Sequence, residues 1–245
     1  LGDSVSFGFG VSETDSFVGI SKYKKKKNFL NSSVIGHNLV SYLHLLKKYN
    51  KDPNYKFKDV VIFLCLNDIH LSEGVVSANE IKKKEKEINE KIFINFLKNK
   101  LFLKLNFYLR EKSSLFNLVK GLASNSTKRH YEYMLWKYNE ENSLIKYENY
   151  IKDIKKFSIQ NNLNTKFVLL PYTYQVKKNS KKKKLKPQIE IQKIFELNRI
   201  KLYDFTDNFC SHEKGVSLFL GYDPVHLSNA GHQFVSELLD KNNIL

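Results

Sequence analysis

A serine hydroxyl is a weak nucleophile at neutral pH and needs a base, a group to orient that base, and donors for the developing oxyanion. The sequence holds residues suited to each task. Ser4 lies in Gly2-Asp3-Ser4-Val5-Ser6-Phe7-Gly8, a glycine-flanked turn in which a side chain can be presented to a substrate. Taken alone, the same triplet also describes an ordinary solvated turn. Near the other end, Asp223-Pro224-Val225-His226 sets a carboxylate and an imidazole three residues apart. In a turn, the carboxylate can hold the near ring nitrogen and leave the far one free as a base. The plainer alternative is a loop Asp and a His opening a helix. Asn67 follows the most apolar run of the chain, where its amide is available to an oxyanion or to a turn. Gly36 offers a backbone N–H after Val34-Ile35.

The elements that must position these residues alternate between strand and helix. Asp59–Cys65 is apolar on both faces, as an interior strand of a parallel sheet requires. Lys166–Leu170, stopped by Pro171, is a second buried strand, and Asn28–Val34 and Lys201–Phe205 are shorter candidates. His37–Tyr49 carries Leu39, Leu43 and Leu46 on one helical face. Pro187–Asn198 reads as a helix with Pro in its first turn, and Ser228–Lys241 as a final helix with Ser228 as N-cap. The opening residues read as a turn-rich loop, as do 177–186 and 208–224. Between about 80 and 160 the pattern is mostly helical and charged, with fuller apolar faces over Phe93–Tyr108 and Tyr131–Phe157; this predicts a helical insertion. In parallel sheets, functional groups gather at the carboxyl ends of the strands. Asp3-Ser4, Asn67-Asp68 and Asp223–His226 all fall at such ends.

Composition limits the alternatives. With 245 residues and 42% hydrophobic side chains, the chain can bury a substantial core, and global disorder is not expected. No apolar run approaches the roughly 18 residues that span a bilayer. Formal charge is +16, from 41 basic and 25 acidic residues. The lysines are spread along the chain and no nucleic-acid motif accompanies them, so nucleic acid is not an expected partner. Cys65 and Cys210 lack metal-ligand spacing, and two cysteines fix no redox compartment. Cys65 reads as a buried free thiol. His70, His130 and His212 are scattered and read as surface residues, and His232 as structural. No set of ligands has a convincing metal spacing, and no cofactor is called for.

Taken in order, these pieces resemble the SGNH (GDSL-like) hydrolase superfamily. Gly2–Gly8 is similar to its first block, GDSx(T/S)xG. Gly36, in NSSVIGHNLVSYL, corresponds to the second, Leu66–Ile69 (LNDI) to the third, and Asp223–His232 (DPVHLSNAGH) to the last. The resemblance spans nearly the whole chain. It implies Ser4 as nucleophile, His226 as base and later acid, and Asp223 as the group orienting His226. It implies an oxyanion hole made by the N–H groups of Ser4 and Gly36 and the side chain of Asn67. One departure stands out: Cys65 occupies the position, two residues before the Asn, where the family has glycine. Leu169–Val176 (LLPYTYQV) also resembles family members associated with bacterial polysaccharides.

The expected fold is a single α/β domain over 1–245, three-layer α/β/α and flavodoxin-like, with a parallel sheet of about five strands and the helical insertion. Only Leu1 precedes the nucleophile turn, so the family's first strand is expected upstream and the sequence is expected to be an N-terminally shortened piece. The expected chemistry is acyl transfer through an acyl-serine, with water or a sugar hydroxyl as acceptor. The first substrate is a small acyl ester on a carbohydrate. A lipid or thioester acyl hydrolase and a silent glycan-binding domain are the alternatives.

Overall fold

The computed structural model describes residues 1–25, 28–71, 108–109, 111–115, 125–176, 185–221 and 223–245. Its sheet is parallel, in the order β1 (Asp59–Leu64), β2 (Asn164–Leu169), β3 (Leu202–Asp204). β1 and β2 are in register from Asp59↔Asn164 to Leu64↔Leu169, and β2 meets β3 from Phe167↔Leu202 to Leu169↔Asp204. Ile62, Phe63 and Leu64 are buried, as are Phe167, Val168 and Leu169, which is why both strands read as continuous apolar runs.

On the free side of β1 lies the start of the chain. The Leu1 amine donates to Val61 O at 2.8 Å, and Phe63 N donates to Leu1 O at 2.9 Å. Gly2 O in turn accepts from Val34 N at 3.2 Å. The backbone at 1–2 is therefore flanked by β1 and by the 28–34 segment. That segment is not the strand its composition predicts. Asn31 turns its side chain inward, donating to Ser6 O at 2.9 Å and accepting from Ser33 N at 3.2 Å. A local side-chain bond thus takes an N–H that a ladder would need. Among the described residues the sheet has three strands plus this short pairing, rather than about five strands.

Helices cover both faces. Residues in register share a face, and neighbours along a strand alternate. Phe167 is opposite Ile62, and its ring meets Phe195 of α7 (Lys186–Leu197) at 5.1 Å. Phe63, on the other face, meets Phe17 of α2 (Phe17–Lys25) at 4.6 Å. The result is a three-layer α/β/α arrangement. α3 (Leu39–Lys51) buries Leu39, Tyr42, Leu43 and Leu46 at helical spacing and packs on α5 (Glu141–Gln160).

Three departures from the sequence reading have local causes. The opening segment is not all loop: it contains α1 (Ser4–Phe7) and α2. α2 buries Phe17, Gly19 and Ser21, a face of mostly small residues that shows no apolar stripe. The stretch Tyr131–Phe157 is two helices, α4 (Ser126–Lys137) and α5, parted where the Glu140 carboxylate accepts from Lys137 Nζ at 2.7 Å and Ser143 Oγ at 2.8 Å. Past β3, the expected loop begins with α8 (Thr206–Ser211), whose first N–H donates to Asp204 Oδ1 at 2.8 Å. The predicted helical pattern from about 80 to 107, including most of Phe93–Tyr108, and the loop at 177–184 lie outside the described residues.

The last helix, α9 (Asn229–Lys241), is capped by Ser228, whose side chain accepts from Gly231 N. It packs on α2, where Ser21 Oγ lies 3.2 Å from Ser236 Oγ. A Cβ on Gly231 would lie 1.9 Å from Leu218 O, the same carbonyl that accepts from Ser228 N at 3.0 Å. Backbone cannot rotate aside as a side chain does. Gly231→Ala is therefore expected to destabilise the fold by about 1–3 kcal/mol, read as a lower midpoint in denaturant unfolding at an unchanged slope. An unchanged midpoint would mean that α9 can back away at little cost.

Candidate active site

Asp3 is the N-cap of α1: its Oδ1 accepts from Val5 N at 2.9 Å. Ser4 follows as the first helical residue, half-buried at the carboxyl end of the sheet. The helix lasts one turn because Gly8 adopts the left-handed conformation, with φ +90°, and its N–H closes on Ser4 O and Val5 O. A turn this short lets the Ser4 side chain face outward.

The Asp223–His226 turn is built by its own carboxylate. Asp223 Oδ1 accepts from both Val225 N and His226 N at 2.7 Å. This leaves Oδ2 for His226 Nδ1, at 2.8 Å. His226 Nε2 lies 2.8 Å from Ser4 Oγ. With an ionised Asp223, Nδ1 carries the proton and the Nε2 lone pair faces the serine hydroxyl. Burial pushes the Asp223 carboxyl up. The bond to the His226 ring, the two backbone N–H bonds and the charge of His226 outweigh it, and hold the group below the usual carboxylate range. Leu220 N donates to His226 O at 2.9 Å, and the Phe9 ring covers the imidazole at 4.5 Å.

Asn67 sits in a short 3-10 helix, Leu66–Ile69, directly after β1. Its Nδ2 donates to Asp3 Oδ2 at 2.9 Å, and its Oδ1 accepts from Tyr172 OH at 2.9 Å. An amide nitrogen has two protons, so one remains after the bond to Asp3. Gly36 has φ +81°, and two residues before it Val34 is tied to Gly2. All three polar clusters and the Gly36 segment thus converge on the turn that bears Ser4.

A buried polar layer supports this turn. Asp68 accepts from Tyr42 OH and from Cys65 N, each at 2.8 Å. Burial, and then the charge of Asp3, push the Asp68 carboxyl well above its ordinary value. Burial likewise raises Asp3, against the opposing effect of its donors Asn67, Val5 and Cys65. Cys65, where the resembling family has glycine, is buried and free. The side chain is absorbed beneath the site rather than displacing Asn67.

His130, read from the sequence as a surface residue, is instead at the site. It stacks on Tyr172 at 5.4 Å, and the charges of Asp223 and His226 act on it. Burial lowers its pKa to about 4. His70 is half-buried, stacked on Tyr133 at 5.2 Å. His232 belongs to the core, where its Nδ1 accepts from Phe17 N at 3.2 Å. His130 lies in no motif; Tyr172 falls in the Leu169–Val176 segment, just after Pro171 at a strand end, but nothing in that segment marks it as a partner of Asn67. A cavity of about 770 Å³ opens near Phe29, Tyr55 and Val60, toward the amino end of β1 and away from Ser4. Among the described residues, no cluster of His, Cys, Asp or Glu is arranged to hold a metal ion, and no helix is long and apolar enough to cross a membrane.

No protein-family model matches the sequence, and no curated protein matches it significantly. Solved structures do match in fold. A lipolytic protein of the G-D-S-L family from Desulfitobacterium hafniense DCB-2 is 11% identical, with 100% of this chain and 97% of that chain covered and a TM-score of 0.54. An acetyl xylan esterase, AlAXEase, is 14% identical, with 98% and 96% covered and a TM-score of 0.51. The chain has the α/β fold of the SGNH (GDSL-like) hydrolases.

Proposed function

We propose that this protein is a serine esterase or acyl transferase of the SGNH type. The observation that carries the reading is the unbroken line from Asp223 Oδ2 through the His226 ring to Ser4 Oγ, with 2.8 Å at each link. Each group then has a role. His226 Nε2 takes the Ser4 proton as Oγ attacks the ester carbonyl, and the carbonyl π electrons move to oxygen. The N–H groups of Ser4 and Gly36 and the second amide proton of Asn67 receive that oxyanion. As the tetrahedral intermediate collapses, His226 gives its proton to the departing alkoxide, which leaves as an alcohol. The acyl-serine is released by the reverse sequence, with water or a sugar hydroxyl as the incoming nucleophile. Asp223 holds the ring tautomer and the developing imidazolium throughout.

For substrate, a small acyl ester on a carbohydrate is the best-supported class. A protein of the same fold is an acetyl xylan esterase, and the Leu169–Val176 segment resembles polysaccharide-associated members of the family. A fluorophosphonate probe tests the nucleophile. Mass spectrometry is expected to find the adduct on the peptide bearing Ser4, and none in Ser4→Ala. A folded wild type that takes up no probe would end the esterase reading. Acetate release from acetylated oligosaccharides, with the product identified, tests the substrate class.

A further inference from the structure

We propose that Tyr172 is a positioning residue for the acyl-transfer reaction: its hydroxyl fixes which way the Asn67 amide faces. The inference rests on the esterase reading and adds a part that lies outside the four sequence blocks bearing Ser4, Gly36, Asn67 and Asp223–His226.

The Asn67 side chain has two ends of opposite character, and only one orientation serves an oxyanion. Asp3 Oδ2, beside the amide at 2.9 Å, belongs to a carboxylate already receiving Val5 N. A carboxylate so supplied with donors accepts, so the nitrogen must face it. The opposite end meets Tyr172 OH, which donates to Oδ1 at 2.9 Å. Asp3 and the tyrosine hydroxyl therefore clamp the amide between an acceptor and a donor. Without the hydroxyl, Oδ1 would lose its partner and rotation about the Cβ–Cγ bond would be opposed from one side only.

Tyr172 is itself held rigidly. It is 1% exposed, and its N–H donates to Gln175 Oε1 at 2.9 Å. Gln175 is locked in a reciprocal amide pair with Gln188, at 2.6 and 3.0 Å. The next residue, Thr173, opens α6 (Thr173–Val176) and bonds the acid–base turn: its N–H donates to Pro224 O at 3.0 Å and its Oγ1 to Asp223 O at 2.9 Å. Consecutive residues of one connector thus hold the oxyanion amide and the Asp223–His226 turn in a common frame. His130 of α4 lies across the Tyr172 ring, so the helical segment closes over this connector.

The test is a double-mutant cycle on a short aryl ester, with kcat and KM determined separately. Tyr172→Phe keeps the ring, its burial and its stack, and removes one oxygen. Asn67→Ala is expected to lower kcat by roughly 10²–10³, as for loss of one oxyanion donor. Tyr172→Phe is expected to lower kcat by about tenfold with KM changed by less than about twofold, because the amide acts in the transition state. In the Asn67→Ala background, Tyr172→Phe is expected to change kcat by less than about twofold, since nothing remains to be oriented. A loss of equal size in both backgrounds would assign Tyr172 to general packing and overturn the inference. So would full activity in Tyr172→Phe. Both outcomes presuppose an active wild type that labels at Ser4, so they strike the inference alone. An inert wild type that does not label overturns the esterase reading, and the inference with it.

Discussion

Ser4→Ala is expected to lower kcat/KM for a short aryl ester by about 10⁴–10⁶ while leaving the unfolding midpoint where it was. The two halves of this expectation come from different bonds. The Oγ atom makes its hydrogen bond to His226 Nε2, at 2.8 Å, and in the proposed mechanism that contact carries the serine proton away. The turn is held by other groups: Asp3 caps α1, Gly8 ends it, and Asn67 bonds to Asp3. Removing one half-buried hydroxyl therefore deletes the covalent route but leaves its scaffold, and an effect on stability within about 0.5 kcal/mol is expected. Residual turnover would come from oxyanion stabilisation and binding alone, which sustain roughly 10³–10⁴ over water in other serine enzymes. Activity within about tenfold of wild type would remove Ser4 from the mechanism.

What could be read in the sequence divides along physical lines. β1 and β2 were plain because strands buried on both faces must be apolar throughout, and the polar residues that follow them stand out by contrast. The candidate turns at Ser4 and Asp223–His226 stood out because each encodes its own geometry locally, as the three bonds accepted by Asp223 illustrate. α2 was not legible, because the face it buries holds Gly19 and Ser21 beside Phe17, Ser21 meeting Ser236 of α9, and small side chains leave no apolar periodicity. Nor was the bond between Tyr172 and Asn67, which joins positions 105 residues apart with no shared motif. His130 was misread for the same reason: a lone histidine on a charged helix has no local sign of burial until that helix folds onto the β2 connector. The polar pair Asn67-Asp68 was visible as a pair. Only the fold separates its members, with Asn67 turned toward Asp3 and Tyr172 and Asp68 bound to Tyr42 and the Cys65 backbone.

Asp223→Asn is expected to lower kcat by about 10³–10⁴, a loss that raising the pH does not restore. The substitution separates the structural work of this side chain from its electronic work. An Asn oxygen can still accept from Val225 N and His226 N, so the turn should persist. The other end becomes an NH₂, which donates to Nδ1 instead of accepting from it. The imidazole then carries its proton on Nε2, facing Ser4 Oγ, and cannot take the serine proton. Burial brings both His130 and His232 to about 4, so both are neutral well before the physiological range. Asp223 titrates on the acid side for the opposite reason. Its folded value lies below that of a free carboxyl, so its contribution to stability is present above the unfolded value of about 3.9 and is lost as pH falls through the lower folded one. An acid unfolding curve, compared between wild type and Asp223→Asn, measures that loss. If Asp223→Asn kept full turnover, a wrong tautomer would not matter, and His226 would not be the base.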